Sequence, residues 1–361
     1  MRAGFQVTTA IDVDVNAITT HMLNFPKTTH IHKDILTLGG KDIISLSKLA
    51  QNNIVGVIGG PPCQGFSSIG HGDVDDTRNL LFGKFFELIE ELQPVFYLAE
   101  NVPGIMNSKY NHIRESAFEH VRNYTQIRPI FINASEYGAP TTRTRVFFIG
   151  YRNTRRIKKL TYNDIERMKI ASDDRTNVRQ ALEGLPMILD NAINSEGEAI
   201  LSDSYCDYNT KHAQSSYFYE HTRRLIPSEA GNDLYTNRYI CSGIVNGCIP
   251  TKHTEAVKSR FSELVARERD HVSRSMKLDP DYYCPTIRAG TGPEKGSYQA
   301  VRPIHYQEPR VITPREAARL QGFPDWFKLP NTIWHSFRQI GNSVSPIVAE
   351  RILHAIYQKL T

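Results

Sequence analysis

Ile54-Val-Gly-Val-Ile-Gly-Gly-Pro-Pro-Cys63-Gln-Gly-Phe66 decides how the rest of the chain is read. The apolar run Ile54 to Ile58 reads as a strand buried on both faces of a parallel sheet. Gly59, Gly60, Pro61 and Pro62 forbid any regular continuation of that strand. Cys63 is thereby set on a stiff loop beyond the strand's carboxyl end, where open α/β sheets hold their ligands. Nucleophilic thiols sit on exposed, sharply turned loops of this kind, whereas structural cysteines are usually buried. Gly65 leaves room for another backbone or a ligand. A cysteine that merely fills a turn is the plain alternative. The two prolines before Cys63 and the Gln-Gly-Phe-Ser after it favour the nucleophile.

The bulk numbers frame that reading. A chain of 361 residues can bury a proper core and has room for two or three domains. Hydrophobic content of 40% and a mean hydropathy of −0.40 describe a soluble globular protein. No apolar run approaches the ~20 residues of a membrane span, and Met1-Arg-Ala-Gly-Phe5 opens no signal peptide. A cytoplasmic enzyme is the expectation. The five cysteines are odd in number and irregularly spaced, as reduced thiols are. Without a Cys-x-x-Cys pair, Cys241, Cys248 and His253 make no zinc site, and no metal is expected. Net charge of +5 permits a nucleic-acid partner without demanding one. Arg152 to Lys159 carries five positive charges in eight residues, which by itself reads as a solvated loop.

Periodicity places the other elements. A strand over Val7 to Ile11 closes on Asp12, Val13 and Asp14, and Val15 to Met22 reads as a helix. An acidic residue ending such a strand commonly takes ribose hydroxyls; a helix cap is the alternative for Asp12. His30 and His32 share one face of a further strand, which is weak evidence for a metal. Thr77 to Leu92 is a helix with Leu81, Phe85, Leu88, Ile89 and Leu92 on one face. The next buried strand, Val95 to Ala99, ends at Glu100 beside the expected place of Cys63. A turn over Ala134 to Pro140 leads to Arg143, Arg145 and a strand, Val146 to Gly150. From Asp190 to Tyr283 the periodicity fades. His221, Arg223, Arg224, Lys252, His253 and Arg260 there are interleaved with Tyr217, Tyr219, Tyr235 and Tyr239. That mixture suits a surface that reads bases and holds phosphates, and equally an ordinary polar loop domain. Thr313 to Leu320 is the best-signalled helix, with Thr313 as N-cap, Pro314 first and Glu316 closing a capping box. Gly322 and Pro324 stop it, and its main task reads as architectural. A C-terminal helix covers Ile347 to Leu360.

Gly59-Gly-Pro-Pro-Cys-Gln-Gly-Phe-Ser67 resembles the nucleophile loop of the C5-cytosine DNA methyltransferases. Glu100-Asn-Val102, Arg143-Thr-Arg145, Thr313-Pro-Arg-Glu316 and Gln339-Ile-Gly-Asn-Ser-Val344 follow in that family's order. Thr141 stands where most of the family has Gln, and Asp12 where it has Glu. The family's opening strand and glycine turn, Asp-x-Phe-x-Gly-x-Gly-Gly, are absent from the sequence, and nothing after Val344 supplies them by permutation. A misplaced start codon or a truncated copy is the expectation. The missing strand would lie in mid-sheet, leaving its neighbours facing each other across unpaired backbone groups.

The resemblance implies a doubly wound, Rossmann-like α/β sheet lacking its first strand, plus a smaller target-recognition domain. Residues 1–188 would form the catalytic domain, 189–334 the recognition region with its anchoring helix, and 335–361 a return to the catalytic domain. It implies S-adenosylmethionine as cofactor, held by Asp12, Val13, Asp34, Ile35, Pro62, Leu81, Asn342 and Val344. Cys63 would attack C6 of a flipped cytosine, a protonated Glu100 would serve the ring N3, and Asn101 would hold the exocyclic amine. Arg145 would assist at O2, and Arg143 would do the same or hold a phosphate. Gln64, Ser67 and Arg78 would touch duplex DNA; turn residues are the equal alternative for Ser67 and Arg78. A monomer, working in a restriction-modification or phage modification system with a companion endonuclease, completes the expectation. Two readings stay open at this point: a tRNA methyltransferase, and a catalytically impaired DNA-binding remnant.

Overall fold

The computed structural model describes residues 1–61, 79–186, 192–201, 217–290 and 301–360. The chain begins with β1 (Thr9–Asp12), α1 (Val15–Asn24) and β2 (Thr29–His32), followed by α2 (Gly40–Ser47). Then come β3 (Gly56–Gly59), α3 (Asn79–Leu92), β4 (Phe96–Asn101) and α4 (Asn111–Glu119). Next in order are β5 (Tyr124–Gln126), β6 (Ile130–Asn133), β7 (Thr144–Arg152) and α5 (Tyr162–Glu166). α1 starts where a cap allows it: Asp14 is the N-cap and accepts from Asn16 and Ala17 N–H.

β4 is the centre of the main sheet. It pairs in parallel with β3 and antiparallel with β7, whose other edge takes β5 and β6 end to end. Side-chain alternation along β4 and β7 splits the core in two. Tyr97, Ala99, Val146 and Phe148 pack under Phe82, Phe86 and Ile89 of α3 and Ala117 of α4. Phe96, Leu98, Phe147 and Ile149 pack under the C-terminal helix. This is the expected three-layer α/β arrangement.

β1 and β2 form a separate parallel pair. Among the described residues β1 pairs only with β2, and β3 only with β4, so each keeps one open edge. Ile11 and Val57 nevertheless pack into one small cluster with Ile31, Leu38 and Leu88. Among the described residues the β1–β2 pair and the main sheet are thus not joined by hydrogen bonds. The open edge corrects one expectation: Ile58 is 53% exposed, so β3 is not buried on both faces. An unpaired edge strand cannot be covered as a central one is.

The rest of the chain comprises α6 (Val178–Leu182), α7 (Tyr217–Tyr219), α8 (Asp233–Ser242), the short pair β8 (Ala199–Ile200) and β9 (Ile244–Val245), and α9 (Glu255–Glu263). It closes with α10 (Pro314–Leu320), α11 (Ile333–Asn342) and α12 (Pro346–Tyr357). Its core joins Val178, Leu182 and Leu185 to Phe337, Ile340 and Ile347, so it reaches past both 188 and 335.

α10 has the expected Thr313 cap and capping box, and it is buried throughout. Arg315 donates to Asn246 O at 2.8 Å and to Phe327 O at 2.8 Å. Arg319 meets Asp325 at 2.6 and 2.9 Å and donates to Glu183 O at 2.6 Å. Burial alone would raise the Asp325 carboxyl, but Arg319 and its neighbours hold it below the usual range. A carboxylate held low contributes stability above its unfolded pKa and loses it as pH falls through the folded one. Arg319→Met strands that carboxylate and is expected to cost about 3–5 kcal/mol in urea unfolding. Adding Asp325→Leu should recover most of the loss; a single variant as stable as wild type would contradict the anchoring role.

The tyrosine-rich stretch departs from expectation. Tyr235 is 3% and Tyr239 1% exposed, and they bond Asn246 and the Arg223 carbonyl. Arg223 is buried, Arg260 pairs with Asp270, and His221 with Glu350. Much of the aromatic and basic character read as a base-reading surface is therefore interior.

Candidate active site

Glu100 is the penultimate residue of β4, on the face that carries Phe96 and Leu98. Across the ladder it stands opposite Phe147, and Arg145 is the diagonal neighbour on the same face. Arg145 Nε lies 2.8 Å from Glu100 Oε1. Burial pushes the Glu100 carboxyl above its ordinary value, against the pull of Arg145 and Arg143. The other oxygen faces the loop leaving β3: a Cβ built on Gly60 would stand 3.1 Å from Glu100 Oε2. The glycine at 60 thus keeps clear the space in front of the acid.

Asn101 leaves β4 on the opposite face and is 1% exposed. Its Nδ2 reaches Pro61 O at 3.4 Å, and its Oδ1 accepts from Val102 N at 2.8 Å. Alternation along a strand forbids it to share Glu100's side. Asn101 ties the end of β4 to the start of the cysteine loop.

Arg143 directly precedes β7. Its guanidinium is buried and donates to Ile287 O at 3.2 Å and Gly341 O at 2.8 Å. It clamps the C-terminal end of α11 and the 287 segment to the start of β7. Gly341 is packed tightly enough that a Cβ would stand 2.3 Å from Ala289 N. Arg143, Arg145 and Val344 nonetheless line one cavity with Phe147 and Val348.

Cys63, Pro62, Gln64, Ser67 and Arg78 lie outside the described residues. Asp12, Val13 and Asp34 gather at the carboxyl end of the β1–β2 pair. Asp12 Oδ1 accepts from Asp14 N at 2.8 Å and Asp34 Oδ1 from Leu36 N at 2.9 Å, leaving each a second oxygen outward. Val13 is 64% exposed beside them, and Ile35 is half-buried. Two free carboxylate oxygens and an exposed aliphatic side chain fit the ribose and adenine of the cofactor that the resemblance implies. Leu81 is half-buried on α3, Asn342 is exposed and Val344 half-buried after α11. Gln339 bridges α11 to Asn16 O and Thr20 Oγ1 of α1, at 3.1 Å each, so this part of the chain adjoins the β1–β2 unit. The histidines bond locally: half-buried His30 has its Nε2 2.8 Å from His21 Nδ1, and exposed His32 bonds Val13 O.

Comparison with known proteins agrees with the geometry. Residues 1–358 match the family model described as C-5 cytosine-specific DNA methylase. The Type II methyltransferase M.XorII of Xanthomonas oryzae pv. oryzae is 32% identical over 357 residues, covering 97% of this chain and 79% of its own. M.DdeI of Desulfomicrobium norvegicum, also a Type II methyltransferase, is 29% identical over 98% of this chain and 84% of its own. A crystal structure described as a DNA modification methyltransferase encoded within an E. coli prophage gives a TM-score of 0.83 at 44% identity. It covers 99% of this chain and 94% of that one. S. pombe Dnmt2 methyltransferase gives 0.59 at 17% identity, covering 98% and 91%, which is a likeness of fold.

Proposed function

The chain belongs to the C-5 cytosine-specific DNA methylases, and from that premise we propose that it methylates a cytosine extruded from duplex DNA through a bond from Cys63 to C6. C5 of cytosine is a poor nucleophile, and stacking hides it, so the base must leave the helix at a cost of a few kcal/mol. The Cys63 thiolate adds to C6, and the C5–C6 electron pair shifts so that C5 becomes nucleophilic. Charge developing toward N3 is met by the protonated Glu100, which gives its hydrogen there. Arg145 holds Glu100 and supplies a cation near O2. S-adenosylmethionine, when bound, supplies an electrophilic methyl group for C5. Removal of the C5 proton by a base, water included, then restores the double bond and expels the thiolate.

The observation that carries this reading is the buried Glu100 carboxyl with a raised pKa, one oxygen on Arg145 and the other facing Gly60. Gly60 precedes Cys63 by three residues, and each residue spans at most ~3.6 Å, so the thiol can reach a base that Glu100 touches. Asp12, Val13, Asp34 and Ile35 hold the adenosine end, with Pro62, Leu81, Asn342 and Val344 completing that contact. Gln64, Ser67 and Arg78 hold the DNA backbone at the extruded nucleotide. We place the recognition region at 189–334, between a catalytic unit of 1–188 and the returning 335–361, and the enzyme acts as a monomer. The Type II names of its relatives favour a modification setting with a companion endonuclease. The test is radiolabelled methyl incorporation into duplex DNA and into an RNA hairpin of matched sequence. Incorporation into DNA alone supports the proposal; incorporation into RNA alone, or into neither, contradicts it.

A further inference from the structure

We propose that the end of the main sheet opposite Glu100 is a second docking surface for duplex DNA phosphates. β7 runs seven residues from Arg145 beside Glu100 to Arg152, and at ~3.3 Å per residue the two ends lie about 20 Å apart. At the far end stand Arg128, Arg152, Arg155, Arg156, Lys158 and Lys159, all exposed but the half-buried Arg152. The chain as a whole carries +5, so this cluster alone accounts for its excess positive charge.

A loose, solvated loop would not be built this way. Ile157 and Leu160, 6% and 2% exposed, are pinned in the core under α12, and Ile157 bridges Leu360. The cations on either side of these anchors are thereby turned outward from fixed backbone. Arg152 Nε is held on Pro94 O at 3.0 Å, Arg156 on Asn52 O at 3.0 Å, and Lys158 N on Lys359 O at 2.8 Å. Arg128 lies over the Tyr162 ring at 3.7 Å, bringing a separate segment to the same end. The nearby Asp164 is already paired with Lys359 at 2.8 Å. Among the described residues no carboxylate forms an ion pair with Arg128, Arg152, Arg156, Lys158 or Lys159.

These five cations, held on a fixed backbone and without carboxylate partners among the described residues, suit a phosphate backbone, whose binding is driven by counterion release. A duplex engaged at Glu100 sits at the other end of the sheet, so the patch takes a different stretch of DNA. Its service would be to keep the enzyme on the polymer between target sites. The inference rests on the proposed function only in choosing duplex DNA as the polymer.

The test is isothermal titration of the full chain with a 14-bp duplex, on wild type and on the variant Arg155→Gln, Arg156→Gln, Lys158→Gln, Lys159→Gln. Wild type should bind two duplexes, the weaker one with a log–log salt slope of about −3 to −4, the value for four phosphate contacts. The variant should keep the tighter site and lose the weaker. A single class of sites in both proteins overturns the proposal. So does loss of both classes in the variant, or binding of poly-glutamate at the patch with no second duplex, which would indicate an acidic protein partner. Failure of methyl transfer with the weaker duplex site intact would instead sink the proposed function alone.

Discussion

Cys63→Ser is expected to abolish methyl incorporation while leaving affinity for duplex DNA largely intact. A thiol, with an ordinary pKa near 8.5, is readily brought to the thiolate. An alcohol is not, and without a thiolate C6 receives no electron pair and C5 never becomes a nucleophile. DNA affinity rests mostly on phosphate contacts, which the exchange of sulfur for oxygen does not touch. Filter-binding beside a methyl-incorporation assay separates the two quantities. Incorporation by the serine variant at an appreciable fraction of the wild-type rate would remove Cys63 from the chemistry.

The second large effect is expected at Glu100. Glu100→Gln keeps the shape and a hydrogen-bond donor but cannot yield a proton, and turnover should fall roughly 10²- to 10⁴-fold, the usual worth of a general acid. The raised pKa gives the prediction a sign. Activity that needs the acid form should decline on the alkaline side as pH rises through that raised value, and the glutamine variant should lack that limb. Linkage runs the same way. A carboxyl raised in the folded state contributes stability that is fully present below its unfolded pKa and is lost as pH rises through the folded one. The variant's stability should therefore be flatter over that window. An unchanged rate and pH profile would make Glu100 half of a structural ion pair with Arg145.

What the sequence disclosed depended on how local each cause was. The Thr313 cap and its box lie within four residues, and the helix appears where they place it. The strand ending at Glu100 and the break at Gly59 to Pro61 were equally legible, since prolines and glycines act on their own backbone. The directions of Asn101 and Arg143 were not. Neighbours in the sequence point to opposite faces of a strand, so a motif such as Glu100-Asn101-Val102 names the residues without saying which of them share a side. Arg143 meets Ile287 and Gly341, more than 140 residues away, which no spacing reveals. The tyrosines of α8 misled for a related reason: composition shows that a segment is polar and aromatic, and only packing shows that Tyr239 is interior. The exposure of Ile58 is the opposite case, a strand with buried-strand chemistry whose neighbour on one edge is not supplied by the described residues.

The most direct measurement is mass spectrometry of the chain incubated with S-adenosylmethionine and duplex DNA in which 5-fluorocytosine replaces the target base. Fluorine at C5 cannot leave as a proton does, so the expelling step is blocked after the methyl has arrived. A methylated DNA adduct mapped by peptide digestion to Cys63, and absent without S-adenosylmethionine, is the predicted result. An adduct at another residue, or methylation of ordinary DNA with no adduct on the fluorinated one, would contradict the account.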